Sequence, residues 1–341
     1  MSLAAYILRR LGYLVPQVLL ISFITFVLVR LLPGDPARLA LGPLAPESAV
    51  EQLRAEFNLD KPIWQQYLIW LKGAVQGDLG KSWVNNNSVT AELIVRTPVT
   101  LELIILSLLV VLVVLIPLAI VSASDSRAIP VRIVKRVTFG YGMLAGAVPD
   151  FVLGLLLIFV FYTMLGILPG PEGRLGIIMM EPPQVTGSIL IDTLLAGDTE
   201  AFVSGVEHLI LPVAVLAFVY GAPIFKMMRS QMGFALASSF STFGHAIGLR
   251  PRTVFFRAAR VAAIPTVVIV GVIVMYLIGG AVLVEAVFNF SGLGQYAVQS
   301  IVSADYAPIQ AFVSLAAVLT MLIYLAVDLV HYAMDPRLKS N

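Results

Sequence analysis

Carboxylates set inside apolar runs are the residues of this chain with the most chemistry to offer. Asp150, Glu285 and Asp328 lie within such runs, and Glu102 and Arg30 lie near run ends. A central Asp costs about 2.5–3.5 kcal/mol to insert into a bilayer, so each should face a partner or a wet cavity. Asp150 follows Pro149, which lacks the N–H that would bond the preceding turn. Two roles compete for Asp150. Capping the amides of a restarting helix is the preferred one, and contact with a substrate amine across a cavity is the other. Glu285 and Asp328 read as structural residues near span ends. The three histidines, His208, His245 and His331, are scattered without ligand spacing, and there is no Cys. No metal site and no thiol nucleophile is therefore expected. Gly80–Lys81–Ser82 imitates the end of a phosphate-binding loop, but Val75 stands where that loop needs glycine. Enzymatic chemistry is not expected in this chain.

The elements that must carry these residues are membrane spans. Of 341 residues, 59% are hydrophobic and 12% charged, against about 25% charged in soluble domains. Mean hydropathy is +0.94, and the bilayer is the better solvent for such a surface. A hydrocarbon core of about 30 Å needs about 20 apolar helical residues. Six stretches qualify: 11–32, 100–122, 137–168, 208–228, 265–288 and 308–332. The third carries Pro149–Asp150 near its middle, which predicts a kink or a broken helix. Arg9 and Arg10 precede the first stretch, but its apolar run is too long for a cleaved signal, so it reads as an uncleaved span.

Lysine and arginine set the orientation. Residues 123–136 hold Arg127, Arg132, Lys135 and Arg136 against Asp125 alone, and residues 226–264 hold Lys226, Arg229, Arg250, Arg252, Arg257 and Arg260 without an acid. Residues 169–207 reverse this, with Arg174 against Glu172, Glu181, Asp192, Asp198, Glu200 and Glu207. Both termini are therefore expected in the cytoplasm. Residues 33–98 fall outside, with an amphipathic stretch at 46–57 followed by a Trp-rich patch. An ion-coupled secondary transporter is the rival class, but it calls for inverted repeats and a mid-membrane carboxylate set, and neither is visible.

An ordered series of motifs runs the length of the chain: residues 6–10 (YILRR), 31–37 (LLPGDPA), 53–61 (LRAEFNLDK), 66–71 (QYLIWL), 77–82 (GDLGKS) and 100–103 (TLEL). It continues through 147–156 (AVPDFVLGLL), 209–212 (LILP), 284–293 (VEAVFNFSGL) and 328–337 (DLVHYAMDPR). In this the chain resembles the membrane subunits of dipeptide, oligopeptide and nickel importers of the ATP-binding-cassette class.

The resemblance implies an all-α inner-membrane protein of the type I importer permease kind, with about six spans and an extracytoplasmic segment between the first two. On that division residues 1–32 are the N-terminal end and first span, 33–98 the outer segment, and 99–341 the permease core. It implies peptide transport, with nickel-chelate or glutathione transport as the alternative. It implies a sister permease, one or two ATPases that hold the ATP and Mg, an extracytoplasmic binding protein, and no cofactor in this chain. A cytoplasmic coupling segment maps to residues 240–265, with His245, Ala246, Gly248, Leu249 and Arg250 at its centre and Pro265 opening the next span. Here the sequence departs from the family: Phe240, Ser241, Thr242, Phe243, Gly244 and His245 replace its usual charged residues, and the Gly-to-Pro distance is one residue shorter. Trp64, Trp70 and Trp83 are candidate anchors for the binding protein, and interface tryptophans in the ordinary sense otherwise.

Overall fold

In the computed structural model the described residues are 3–31, 36–42, 44–124 and 128–334. Residues 32–35 of the LLPGDPA run and 335–337 of the last motif lie outside them. Among the described residues the fold is helical, with one isolated bridge between Lys81 and Ser88. A long first helix, α1 (Leu3–Arg30), is followed by three short ones: α2 (Pro36–Leu41), α3 (Glu47–Glu56) and α4 (Ile63–Val75). Then α5 (Val89–Val110) passes through a π-helical turn (Val111–Leu115) into α6 (Ile116–Ser122). The π turn has a local cause: Pro117 cannot donate, and the Ile116 N–H reaches back five residues to Val111 O.

The expected break in the third stretch is present. Helix α7 (Ile129–Leu144) stops, Pro149 takes extended dihedrals, and α8 (Asp150–Leu157) restarts with a π extension (Ile158–Met164). Proline removes a donor and disfavours helix in the residue before it, so the chain leaves the helix at residues 145–149. The restarted piece, Asp150–Met164, is 15 residues long, about 22 Å at 1.5 Å per residue. Five other helices are long and apolar enough to cross: Gly12–Arg30, Val89–Ser122, Thr199–Ala237, Pro251–Phe288 and Tyr306–Val330. The six expected spans thus appear as five long ones and one short one.

The remaining helices are α9 (Ile189–Ala196), α10 (Thr199–Ala237), α11 (Ser239–Ala246), α12 (Pro251–Phe288), α13 (Leu293–Val302) and α14 (Tyr306–Met334). Their starts are marked by side chains that accept from orphan amides: Ser88 for α5, Ser188 for α9 and Asp198 for α10. The main core joins α5, α10 and α12 through Leu103, Leu216, Ile224, Leu277, Val284 and Phe288, with Leu153 and Leu157 of α8 packed against it. Outside it, α1 and α14 pack on each other along the bundle's flank.

Candidate functional site

The connections gather at two ends. At one end lie the turn 238–250 and the basic residues 226–260, the arginine-rich end; at the other lie residues 36–88, 165–198 and 289–305, the loop-rich end.

At the arginine-rich end α10 is 39 residues long, about 58 Å, so it outruns the hydrocarbon core of about 30 Å. Beyond it α11 is held by two small residues. The Ser241 hydroxyl donates to Ala235 O at 2.7 Å, and the Gly244 backbone packs on Val254 and Leu249. Gly248 then turns the chain with φ +80°, its N–H on His245 O at 3.0 Å and the Leu249 N–H on Gly244 O at 3.0 Å. Only glycine takes that φ without strain. Arg250 is extended, and Pro251 opens α12 at a position where its missing N–H costs nothing. The five residues singled out at 245–250 therefore form one turn, with His245, Ala246, Gly248 and Arg250 exposed.

Sequence reasoning passed over the apolar face beside them. Phe240, Phe243 and Ile247 follow helical spacing and are 40%, 65% and 57% exposed; Phe256, at the start of α12, is 71% exposed. Arg250, Arg252, Arg257 and Arg260 make no ion pair among the described residues. Aromatic residues beside unpaired guanidinium groups make a surface fit for an acidic groove. The 3.6 period of 240, 243 and 247 was the signal that could have found it.

Asp150 sits where α8 restarts. Its Oδ1 accepts from the Phe151 N–H at 2.8 Å and its Oδ2 from the Tyr220 hydroxyl at 2.8 Å, and it is buried. The carboxylate thus ties the restarted helix to α10.

The loop-rich end is a set of carboxylate clasps. Glu285, fully buried, accepts from the Thr100 hydroxyl, from Gly294 N at 2.7 Å and from Gln295 N at 3.1 Å, while Thr100 itself accepts from Leu293 N at 2.9 Å. A Cβ on Gly294 would lie 2.3 Å from Val282 Cα, so only glycine fits. Glu102 accepts from Ser188, Ile189 and Leu190 at the N-terminus of α9, where the helix dipole favours a negative charge. Asp305 accepts from the Ser82 hydroxyl and from Trp83 N, tying the GDLGKS turn to the start of α14. Burial pushes the Asp192 carboxyl up, but bonds from the Thr186 hydroxyl and the amides of Thr186, Gly187 and Val185 hold it below the usual carboxylate range. Of the tryptophans, Trp64 is exposed, Trp83 stacks on Phe57 at 4.9 Å, and Trp70 packs against Phe26 and Tyr67.

The described residues thus form a bundle of helices long and apolar enough to cross a membrane, with a broken span, a clasped end and an end of arginines that make no ion pair among them. The chain belongs to the family described as binding-protein-dependent transport system inner membrane component, matched over residues 115–340, and its N-terminal companion matches residues 3–104. It is 34% identical over 339 residues to the dipeptide transport system permease protein DppB of Escherichia coli K12, covering 98% of each chain. It is 35% identical, with the same coverage, to the di/tripeptide transport system permease protein DppB of Pseudomonas aeruginosa UCBPP-PA14. It is 33% identical over 335 residues to the glutathione transport system permease protein GsiC of Pectobacterium atrosepticum, covering 98% of each. The protein is thus an inner-membrane component of a bacterial binding-protein-dependent transport system.

Proposed function

We propose that this chain is the permease subunit of an ATP-driven importer of di- and oligopeptides. The observation that carries the coupling is the arginine-rich end, where exposed aromatics and arginines without an ion pair among the described residues surround the Gly248 turn between α10 and α12. ATPase subunits dock there through acidic grooves, and they hold the ATP and Mg. Because α11 is joined rigidly to α10 and α12, closure of the ATPases tilts both spans. ATP binding biases the access states through its differential affinity for them.

Both termini lie in the cytoplasm, as the arginine and lysine distribution favours. Residues 33–98 lie outside, in front of a permease core formed by 99–341, and receive the binding protein, with exposed Trp64 as the best placed of the three tryptophans. Substrate passes through a cavity shared with a sister permease, and Asp150 keeps the restarted third span in register beside it. Peptides are the favoured cargo because the full-length relatives above carry them by name. The glutathione relative favours a second reading, transport of that one tripeptide.

The test is purification from gently solubilised native membranes, with ATP hydrolysis assayed with and without peptides and glutathione. A sister permease, ATPases and hydrolysis raised by varied peptides support the reading. Hydrolysis raised by glutathione alone favours the second, and recovery of the chain without any ATPase contradicts both.

A further inference from the structure

A polar cavity and an apolar groove meet at Trp70, on the flank formed by α1, α4 and α14. The cavity has a volume of about 410 Å³; its lining includes the cations Arg30 and Lys81, the carboxylates Glu56 and Asp78, and Trp70 and Gln310. The groove has a volume of about 480 Å³; it shares Trp70 and Leu79 with the cavity and runs between Leu14–Ser22 of α1 and Ala311–Leu322 of α14. The order along α1 is Arg30 and Phe26 in the cavity, then Ser22, Leu19, Val18 and Leu14 in the groove. From Ser22 to Leu14 the groove follows the span for about 12 Å.

Two polar side-chain atoms of residues lining the cavity lack partners, and one cation lacks a counter-charge among the described residues. The Trp70 indole N–H is buried without an acceptor, and the Gln310 Oε1 is buried without a donor, although the Gln310 Nε2 is fixed on Ser22 O at 2.8 Å. Buried polar atoms in folded proteins are nearly always satisfied. Arg30 sits over the Phe26 ring at 3.4 Å and gives its Nε–H to Gln66 at 2.7 Å, but no carboxylate lies within ion-pair distance among the described residues. A half-buried guanidinium without a counter-charge calls for an anion. At the end of a membrane span, beside an apolar groove, a phospholipid supplies every missing piece.

We propose that this flank binds one phospholipid whose headgroup carries an N–H donor. Its phosphate accepts from Arg30 and the Trp70 N–H, its ammonium donates to Gln310 Oε1, and one acyl chain lies in the groove between α1 and α14. Bound there, the lipid fastens α4 to the two flank helices. The site involves no transported substrate, so it stands or falls apart from the importer reading.

The experiment is native mass spectrometry of the complete detergent-purified transporter supplied with palmitoyl-oleoyl phosphatidylethanolamine, comparing wild type, Arg30→Gln and Val18→Trp. The wild type should keep one lipid per permease at energies that strip loosely held lipid. Each variant should lower that occupancy by about tenfold, the effect of losing one charge-assisted pair or the groove. Should Arg30→Gln fail to assemble, Val18→Trp decides alone, since it leaves the polar cavity intact. A wild type that keeps no lipid, as a cavity filled by water would, overturns the proposal. So does equal retention by wild type and the assembled variants, or displacement of the lipid by free trialanine.

Discussion

The two ends of the bundle handle charge in opposite ways. At the loop-rich end Glu285, Glu102, Asp305 and Asp192 each collect two or more donors from backbone amides and hydroxyls. At the arginine-rich end four arginines and an aromatic face stand open around Gly248. A carboxylate satisfied within its own chain builds structure; a cluster of exposed cations without ion pairs is available to another chain. The loop-rich clasps therefore hold the fold, and the open end is where we propose that assembly and coupling act.

Substitutions at the two ends should separate accordingly. The largest effect is expected from Glu285→Ala, which strands the Thr100 hydroxyl and the buried Gly294 amide at about 1–3 kcal/mol each and frees the part-buried Gln295 amide. Loss of folded chain from the membrane fraction is the predicted result, and normal yield would break the comparison on the structural side. Next, Phe243→Asp removes an anchor that is 65% exposed, so chain yield and melting should stay unchanged while co-purified ATPase falls several-fold. Gly248→Val forces a β-branched residue to positive φ at about 1–2 kcal/mol. No neighbouring atom lies within 4 Å of a Cβ there, so the chain should insert normally while ATP hydrolysis becomes uncoupled from uptake in proteoliposomes.

A smaller effect is expected at Asp192. Its carboxyl is held below the usual range, so its stabilisation is present above the unfolded value of about 3.9 and is lost as pH falls through the folded one. The melting difference between wild type and Asp192→Asn should be full at about pH 6 and shrink toward pH 3. Smallest of all, Glu92→Gln removes a helix-surface ion pair with Arg96 at 2.8 Å and should cost about 0.3–0.5 kcal/mol in chain melting.

Much of this layout is written locally in the sequence. Span length, the proline break before Asp150 and the glycine turn at 248 follow from composition and backbone chemistry within a few residues. The clasps do not, because Thr100 and Glu285 are 185 residues apart and Ser82 and Asp305 are 223 apart. A motif such as TLEL or VEAVFNFSGL marks where something must be kept, but its partner is set by packing. The tryptophans illustrate the same limit. Trp64, Trp70 and Trp83 look alike in the sequence, yet Trp64 is exposed, while Trp70 and Trp83 line one cavity, Trp83 stacked there on Phe57. Gly80–Lys81–Ser82 likewise takes its meaning from Asp305, which holds the Ser82 hydroxyl.

Because the chain has no cysteine, one introduced thiol is unique within it, and this permits a direct test of the two-ended account. Thr242→Cys on α11 and Val84→Cys beside the GDLGKS turn, both exposed, would each be crosslinked in intact membranes and the adducts identified. An ATPase adduct is expected from position 242 and a binding-protein adduct from position 84. An ATPase adduct from 84, or a binding-protein adduct from 242, would contradict this assignment of the two ends.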